Sequence, residues 1–420
     1  MMINWKRNVS LFVIGQALSM FGTMVVQYAI VWHVTLKTQS GTVMTLFTFA
    51  GFLPMFFISP FGGVWADRFN RKYIINTADG SIALASLIVA VLIMSGFDRI
   101  GILLICAVVR SLGQGVQMPA VGAFIPQIVP REQLTRINGL QGSIQSFIAL
   151  TAPMIGGALM SFAPLEALFF LDVVTAAVGI GIVVFFVKTP QTERSVPETG
   201  GQKNIPYWHD LREGLREIKK HDYVLRMIVF TAIFLFFAAP AALLTPLQTA
   251  RNFGGDVWRL SAIEIAFAAG MMLGGILIGA WGGFKNRIHT MAFACALFGV
   301  LTVGLGNAPY FGLYLAIIAA LGLSMPLWNA PSMVLLQTSV EPAFMGRVFS
   351  VFSMVSSAMM PLGMIVFGPV ADRVSIDWLL IGTGAVIAVM VIPLIGSKTL
   401  REAGGARDKP RNLDSGTSPE

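Results

Sequence analysis

Apolar residues run through this chain in long blocks, separated by short polar stretches. Blocks of about 20 residues, enough for a helix to cross a ~30 Å hydrocarbon layer, lie near 9–33, 43–65, 73–96, 100–125, 138–161, 165–187, 224–247, 260–281, 288–306, 310–337, 344–370 and 377–396. None alternates with the period of two that a spanning barrel needs, so the pattern predicts helices throughout. The longest polar segment, 188–223, splits the twelve spans into six and six. The expected architecture is all-α integral membrane: a six-helix bundle over 1–187, a linker over 188–223, a second bundle over 224–397, and a polar tail over 398–420 expected to be disordered. Within the linker, Leu211, Leu215, Ile218 and Asp222 follow helical spacing against a charged face. That predicts an amphipathic helix lying on the bilayer or joining the halves, or simply a solvated helix.

Composition agrees with membrane burial. The 420 residues are 55% hydrophobic and only 12% charged, about half the charged fraction of soluble domains. The net charge of +8 is unevenly placed. Between spans on the side away from the termini only Lys37, Arg99, Arg251, Arg259 and Arg373 occur, and nearly every other Lys and Arg falls in the termini or even-numbered loops. This bias predicts cytoplasmic termini, and binding to nucleic acid is not needed to explain the charge. The first apolar run follows Lys6 and Arg7, but it is too long for a signal peptide and no small-residue cleavage site closes it.

The halves echo each other. Gly115, Met118 and Pro119 in span 4 match Gly322, Met325 and Pro326 in span 10, and Pro153 in span 5 matches Pro361 in span 11. Paired six-span halves with weak internal symmetry imply transport by alternating access.

Polar residues at membrane depth mark the candidate chemistry. Arg110 lies mid-span, where a charge costs about 2.5–3.5 kcal/mol on insertion scales. Gln114 and Gln117 follow on the same helix face. Gln16, Thr23 and Gln27 stripe span 1, and Asn138, Gln141 and Gln145 stripe span 5. These amides read either as contacts to a bulky, mostly apolar ligand or as interhelical glue worth about 0.6 kcal/mol each. Three acids sit at depth: Asp79, Asp172 and Glu264. Asp79 and Asp172 are each within reach of the Arg110 guanidinium, so either can neutralise it. Desolvation makes all three candidate proton carriers.

Other chemistry has little support. Cys106 and Cys295 stand alone in apolar runs, and His33, His209, His221 and His289 have no metal-ligand spacing. No G-x-x-x-x-G-K-[ST] phosphate loop occurs, so ATP is not the direct energy source. No metal, cofactor or catalytic constellation is expected.

The loop after span 2 reads GGVWADRFNRK. Its Gly63, Asp67, Arg68, Arg71 and Lys72 resemble the cytoplasmic signature of the major facilitator superfamily, and the resemblance covers essentially the whole chain. It implies a conformational latch in which Asp67 meets the N-terminal end of span 11, around 344–347, when the cytoplasmic side is closed. The corresponding GGFKNR in the second half lacks the acid, which implies asymmetric latching. In span 5, Ala152-Pro153-x-x-Gly156-Gly157, with Gly139 upstream, resembles the antiporter motif of drug exporters, although Ala152 and Ile148 stand where that motif has glycine. NWKRNVSLFVIGQALS, RSLGQGVQMPA and IVPREQLTRINGLQGSIQS resemble the macrolide-efflux branch, to which siderophore exporters and lysophospholipid transporters are related.

The resemblance implies that spans 1, 4 and 5 line a central cavity, that spans 3 and 6 lie outside it, and that span 8 flanks it. Glu264 is thereby favoured as proton carrier. It further implies a monomeric exporter of an amphipathic compound in a bacterial inner membrane, driven by protons, with any accessory partner unspecified. Export or flipping of an endogenous molecule is the nearest alternative; a receptor or scaffold without transport is the other.

Overall fold

The computed structural model describes residues 5–188, 222–339 and 345–404. Within them the chain forms twelve spanning helices and no strand. The first six are α1 (Trp5–Thr38), α2 (Gly41–Arg68), α3 (Arg71–Met94), α4 (Ile100–Ile128), α5 (Leu134–Phe162) and α6 (Leu165–Phe186). The second six are α7 (Asp222–Asn252, bent at Leu244), α8 (Val257–Trp281), α9 (Arg287–Gly306), α10 (Phe311–Ser339), α11 (Met345–Ala371) and α12 (Ile376–Gly396, bent at Met390). Helices overrun the apolar blocks because polar caps, not the hydrophobic edge, end them. Ser40, Asn70 and Asn286 accept backbone N–H bonds at the starts of α2, α3 and α9.

The two bundles repeat one packing scheme, and the echoed glycines explain it. A Cβ on Gly115 would lie 2.9 Å from the Met55 carbonyl oxygen of α2, and one on Gly322 only 2.2 Å from the Phe267 oxygen of α8. Both positions let the fourth helix of a half approach the second at backbone distance. Aromatic packing fills the second bundle, where Phe234 stacks on Trp328 at 4.5 Å and meets Phe298 at 5.2 Å.

Among the described residues the halves meet closely near the face opposite the termini. There Thr45 of α2 donates to the Met364 carbonyl of α11 at 2.9 Å, and Gly157 of α5 abuts Ser261 of α8. Toward the terminal face the same helices stand apart. Phe147 on α5 and Ile276 on α8 are 65% and 63% exposed, and Gly139, Gly142, Gly275 and Gly279 have open space where a Cβ would sit. The molecule is therefore closed at one face and open at the other.

One expectation changes. The tail does not begin as irregular chain at Lys398: Lys398–Gly404 forms a short helix, α13. Leu400 is its anchor, buried in the second bundle, and Asn286 donates to the Arg401 carbonyl. The amphipathic linker helix expected around 211–222 falls almost wholly outside the described residues.

Candidate transport site

Arg110 is buried in the first bundle and ion-paired with Asp172 of α6. Its guanidinium also donates to Ser86 of α3 and to the Thr23 carbonyl of α1. Asp172 completes the cluster by accepting from Thr23 at 3.3 Å and from Ser86 at 2.6 Å. One group thus joins α1, α3, α4 and α6. A pair at 1% and 0% exposure has both charges spent on each other, as desolvated ions at membrane depth must be. Of the two acids within its reach, Arg110 takes Asp172.

Asp79 sits one layer nearer the terminal face with a different set of partners. Its carboxylate accepts from Gln16 Nε2 at 3.1 Å, from Ser19 Oγ at 3.1 Å and from the Gln117 side chain. All three donors are neutral, and Gln117 also donates to Gln16 at 3.3 Å. Gln16 and Gln117, expected as cavity residues, are instead held against this acid. Helical spacing sets which face of its helix each occupies, and the crossing of α1, α3 and α4 turns both toward α3.

A cavity of about 330 Å³ lies beside the Arg110 cluster. Thr23, Gln27, Phe47, Phe52 and Gln114 contribute to its walls, with Leu243 reaching in from the second half. Arg110 borders it, but its side chain is committed to Asp172. Gln27 and Gln114 are the amides from the sequence that face this space. Gln141 is half-buried and Gln145 exposed on the open stretch of α5, outside this cavity.

Glu264 is half-buried on α8 and borders a second cavity of about 90 Å³ with Thr245, Phe267 and Ile318. It lies one turn after Ser261, on the same face of α8. Tyr28 packs on Trp32 at 5.5 Å, and Trp32 lies against Gly156 and Gly157. The α5 glycines and Glu264 therefore share one junction between the halves. A Cβ on Gly157 would fall 1.6 Å from Ser261 Oγ, whereas one on Gly156 would make ordinary contact at 3.7 Å with Val25. Pro153 is buried one turn earlier in the same helix.

The residues of the loop after α2 serve several ends. Arg71 donates to the Ala66 carbonyl at the end of α2 and to the Ala123 carbonyl of α4, at 2.8 and 2.7 Å. Lys72 donates to the Val184 and Val187 carbonyls at the end of α6, where a cation suits the helix dipole. Arg68 is exposed and Gly63 has open space beside it. Asp67 is 75% exposed and, among the described residues, pairs with Arg71 at 3.3 Å. Its expected partners, 344–347, lie outside the described side chains.

Sequence reasoning missed the hydroxyls of Ser19, Thr23 and Ser86 as ligands of the buried acids. Ser86 lies two helical turns after Asp79, a spacing that could have flagged it.

A family model described as Major Facilitator Superfamily matches residues 12–364. The chain is 30% identical over 396 residues to macrolide efflux protein A of Streptococcus pyogenes, covering 93% of this chain and 96% of that relative. It is 22% identical over 380 residues to the multidrug efflux pump Tap of Mycobacterium bovis, covering 87% and 85%. Among solved structures it is similar to a POT family transporter in complex with a thioalcohol-conjugated peptide, with TM-score 0.72 and 10% identity over 93% of this chain and 96% of that one. It is also similar to an inward-facing bacterial homologue of the iron transporter ferroportin, with TM-score 0.68 and 14% identity over 93% and 99%. At these identities the structural likeness is one of fold.

Proposed function

The chain belongs to the major facilitator superfamily of membrane transporters, and from that premise we propose that it is a secondary active exporter of amphipathic organic compounds, macrolide-like in character, driven by inward proton flow. The observation that carries this reading is the cavity beside the Arg110 cluster. Its walls join apolar and aromatic side chains to the uncharged amides of Gln27 and Gln114. Such a lining suits a large, mostly apolar cargo with scattered acceptors. At about 330 Å³ it stands near the low end of the ~300–1,000 Å³ usual for ligand sites, so a bulky cargo extends from it into the open terminal half.

Positive charge is concentrated on the terminal face, which supports a cytoplasmic location for that face in a bacterial inner membrane. The conformation then presents the cavity to the cytoplasm, where an exporter loads. Among the three acids, Asp172 is fixed by Arg110, and Asp79 is enclosed by two amides and the Ser19 hydroxyl. Glu264 alone combines partial burial, an adjoining cavity and a place between the halves, which supports it as the proton carrier. A proton crossing this membrane supplies about 2.3 kcal/mol per 100 mV from the potential alone.

Everted vesicles from a strain lacking its own pumps test the reading. Lipophilic macrolides should accumulate on establishing a proton gradient and leak out when it is collapsed. Gradient-driven accumulation of lysophospholipid or siderophore in place of macrolide would move the substrate class. No accumulation of any of them would favour a non-transporting receptor or scaffold.

A further inference from the structure

At the face opposite the termini, one carboxylate bridges the halves. Asp372 follows the last residue of α11 and sits on the N-terminus of α2. Its oxygens accept from Ser40 Oγ at 2.9 Å, Gly41 N at 2.6 Å, Thr42 N at 2.9 Å and Thr42 Oγ1 at 2.6 Å. Unpaired N–H groups and the positive end of the helix dipole favour an anion there. Burial alone would raise the Asp372 pKa, but the bonds from Thr42, Gly41 and Ser40 outweigh it and hold the carboxyl below its ordinary value. Arg251, at the end of α7, donates to the Ala371 carbonyl at 2.7 Å and to the Gln39 carbonyl at 2.5 Å, and lies 3.5 Å from Asp372. Beneath this, α2 and α11 touch at backbone distance. A Cβ on Gly41 would lie 2.2 Å from the Gly368 carbonyl oxygen.

The sequence places the same device at the other end of this helix pair. Gly368-Pro-Val-Ala-Asp372-Arg373 ends α11, and Gly63-Val-Trp-Ala-Asp67-Arg68 ends α2. The helices run antiparallel, since Gly41 meets Gly368 while Thr45 meets Met364. Each helix therefore ends in an acid on the face of the molecule where the other helix begins. Here one copy is engaged. At the other, Asp67 is 75% exposed and pairs with Arg71 of its own half, and open space lies beside Gly63.

We propose that Asp372 is the outer-gate latch of this transporter, holding the outer face closed by capping α2, in alternation with the inner latch that the family resemblance implies for Asp67. The proposal rests on the alternating-access reading with cytoplasmic termini. A rigid rocking of the halves cannot engage both ends of one antiparallel pair at once, so the two acids bias the same equilibrium in opposite directions.

The test uses the full chain in intact cells with Met44→Cys as reporter. Met44 is buried among second-half residues near the outer end of α2, so a membrane-impermeant maleimide added outside reaches position 44 only when the outer face opens. Cys106 and Cys295 are buried and give the background. Adding Asp372→Ala should speed labelling about tenfold, the change that one charge-assisted hydrogen bond represents. Ser40→Ala with Thr42→Ala should speed it as well, because it removes donors from the opposite half. Asp67→Ala should slow it. Asp98→Ala, which breaks a pairing with Lys37 inside the first half, should leave it unchanged. The Ser40/Thr42 variant decides if Asp372→Ala does not accumulate. Unchanged labelling in both outer variants would reduce Asp372 to a local cap, and equal shifts of the same sign for Asp67 and Asp372 would remove the alternation. Labelling needs no cargo, so a failed transport assay beside the expected labelling would overturn only the proposed substrate and coupling.

Discussion

Arg110 gives the most quantitative test of how the first bundle is held. Arg110→Ala leaves the Asp172 carboxylate at 0% exposure with only the Thr23 and Ser86 hydroxyls as partners. Removing one member of a buried pair costs about 3–5 kcal/mol, because the other charge stays desolvated and uncompensated. For domains of 150–250 residues about 2–4 °C of melting temperature accompanies each kcal/mol, so a loss of roughly 6–20 °C is expected. Asp172→Ala should cost a similar amount, since it strands the guanidinium, whose Nε already has no partner. Arg110→Met with Asp172→Leu removes both charges and keeps the volume. It should recover most of the loss, or exceed the parent by about 1–4 kcal/mol. Thermal unfolding of the purified parent and the three variants, followed by tryptophan fluorescence, reads these shifts. If Arg110→Ala melts with the parent, or the double variant is worse than both singles, the pair is not what holds the bundle. A stable Arg110→Ala that loses only cargo affinity would place Arg110 in the cavity as a ligand instead.

Three further outcomes follow from the geometry. Glu264→Gln should abolish export driven by a pH gradient while downhill cargo exchange continues, because exchange needs no proton turnover; normal uphill export would pass the role to Asp79. Gly157→Val should prevent the outer face from closing, since even a Cβ falls 1.6 Å from Ser261 Oγ, and should speed outer labelling at position 44, whereas Gly156→Ala should be tolerated. The lowered pKa of Asp372 fixes the sign of its pH effect: the latch is fully present above the ordinary carboxylate value of about 3.9 and weakens as pH falls through its lower bound-state value. With Arg251 as the neighbouring cation, external pH between about 5 and 8 should leave latching unchanged, and labelling that varies in this window would assign gating to another group.

Much of the site was visible as residue types. Arg110 had to meet an acid because a lone charge at that depth is too costly, and Asp79 and Asp172 were the two in reach. Choosing between them needed the positions of α3 and α6 around α4, because axial depth was equal and only lateral placement differs. The fate of the glutamines was equally open. Gln114 and Gln117 lie one turn apart on one face, yet one looks into the cavity and the other binds Asp79, since the α1–α3–α4 crossing falls between them.

The number of spans, the division into two bundles and the expected orientation are legible in the chain itself, because each follows from local hydrophobicity or charge bias. Which face is closed, that Asp372 caps α2 from the other half, and that Gly157 meets Ser261 beside Glu264 follow from the assembled fold alone. These are contacts between residues a hundred or more positions apart. No local pattern encodes them, because they depend on how two rigid bundles lean against each other.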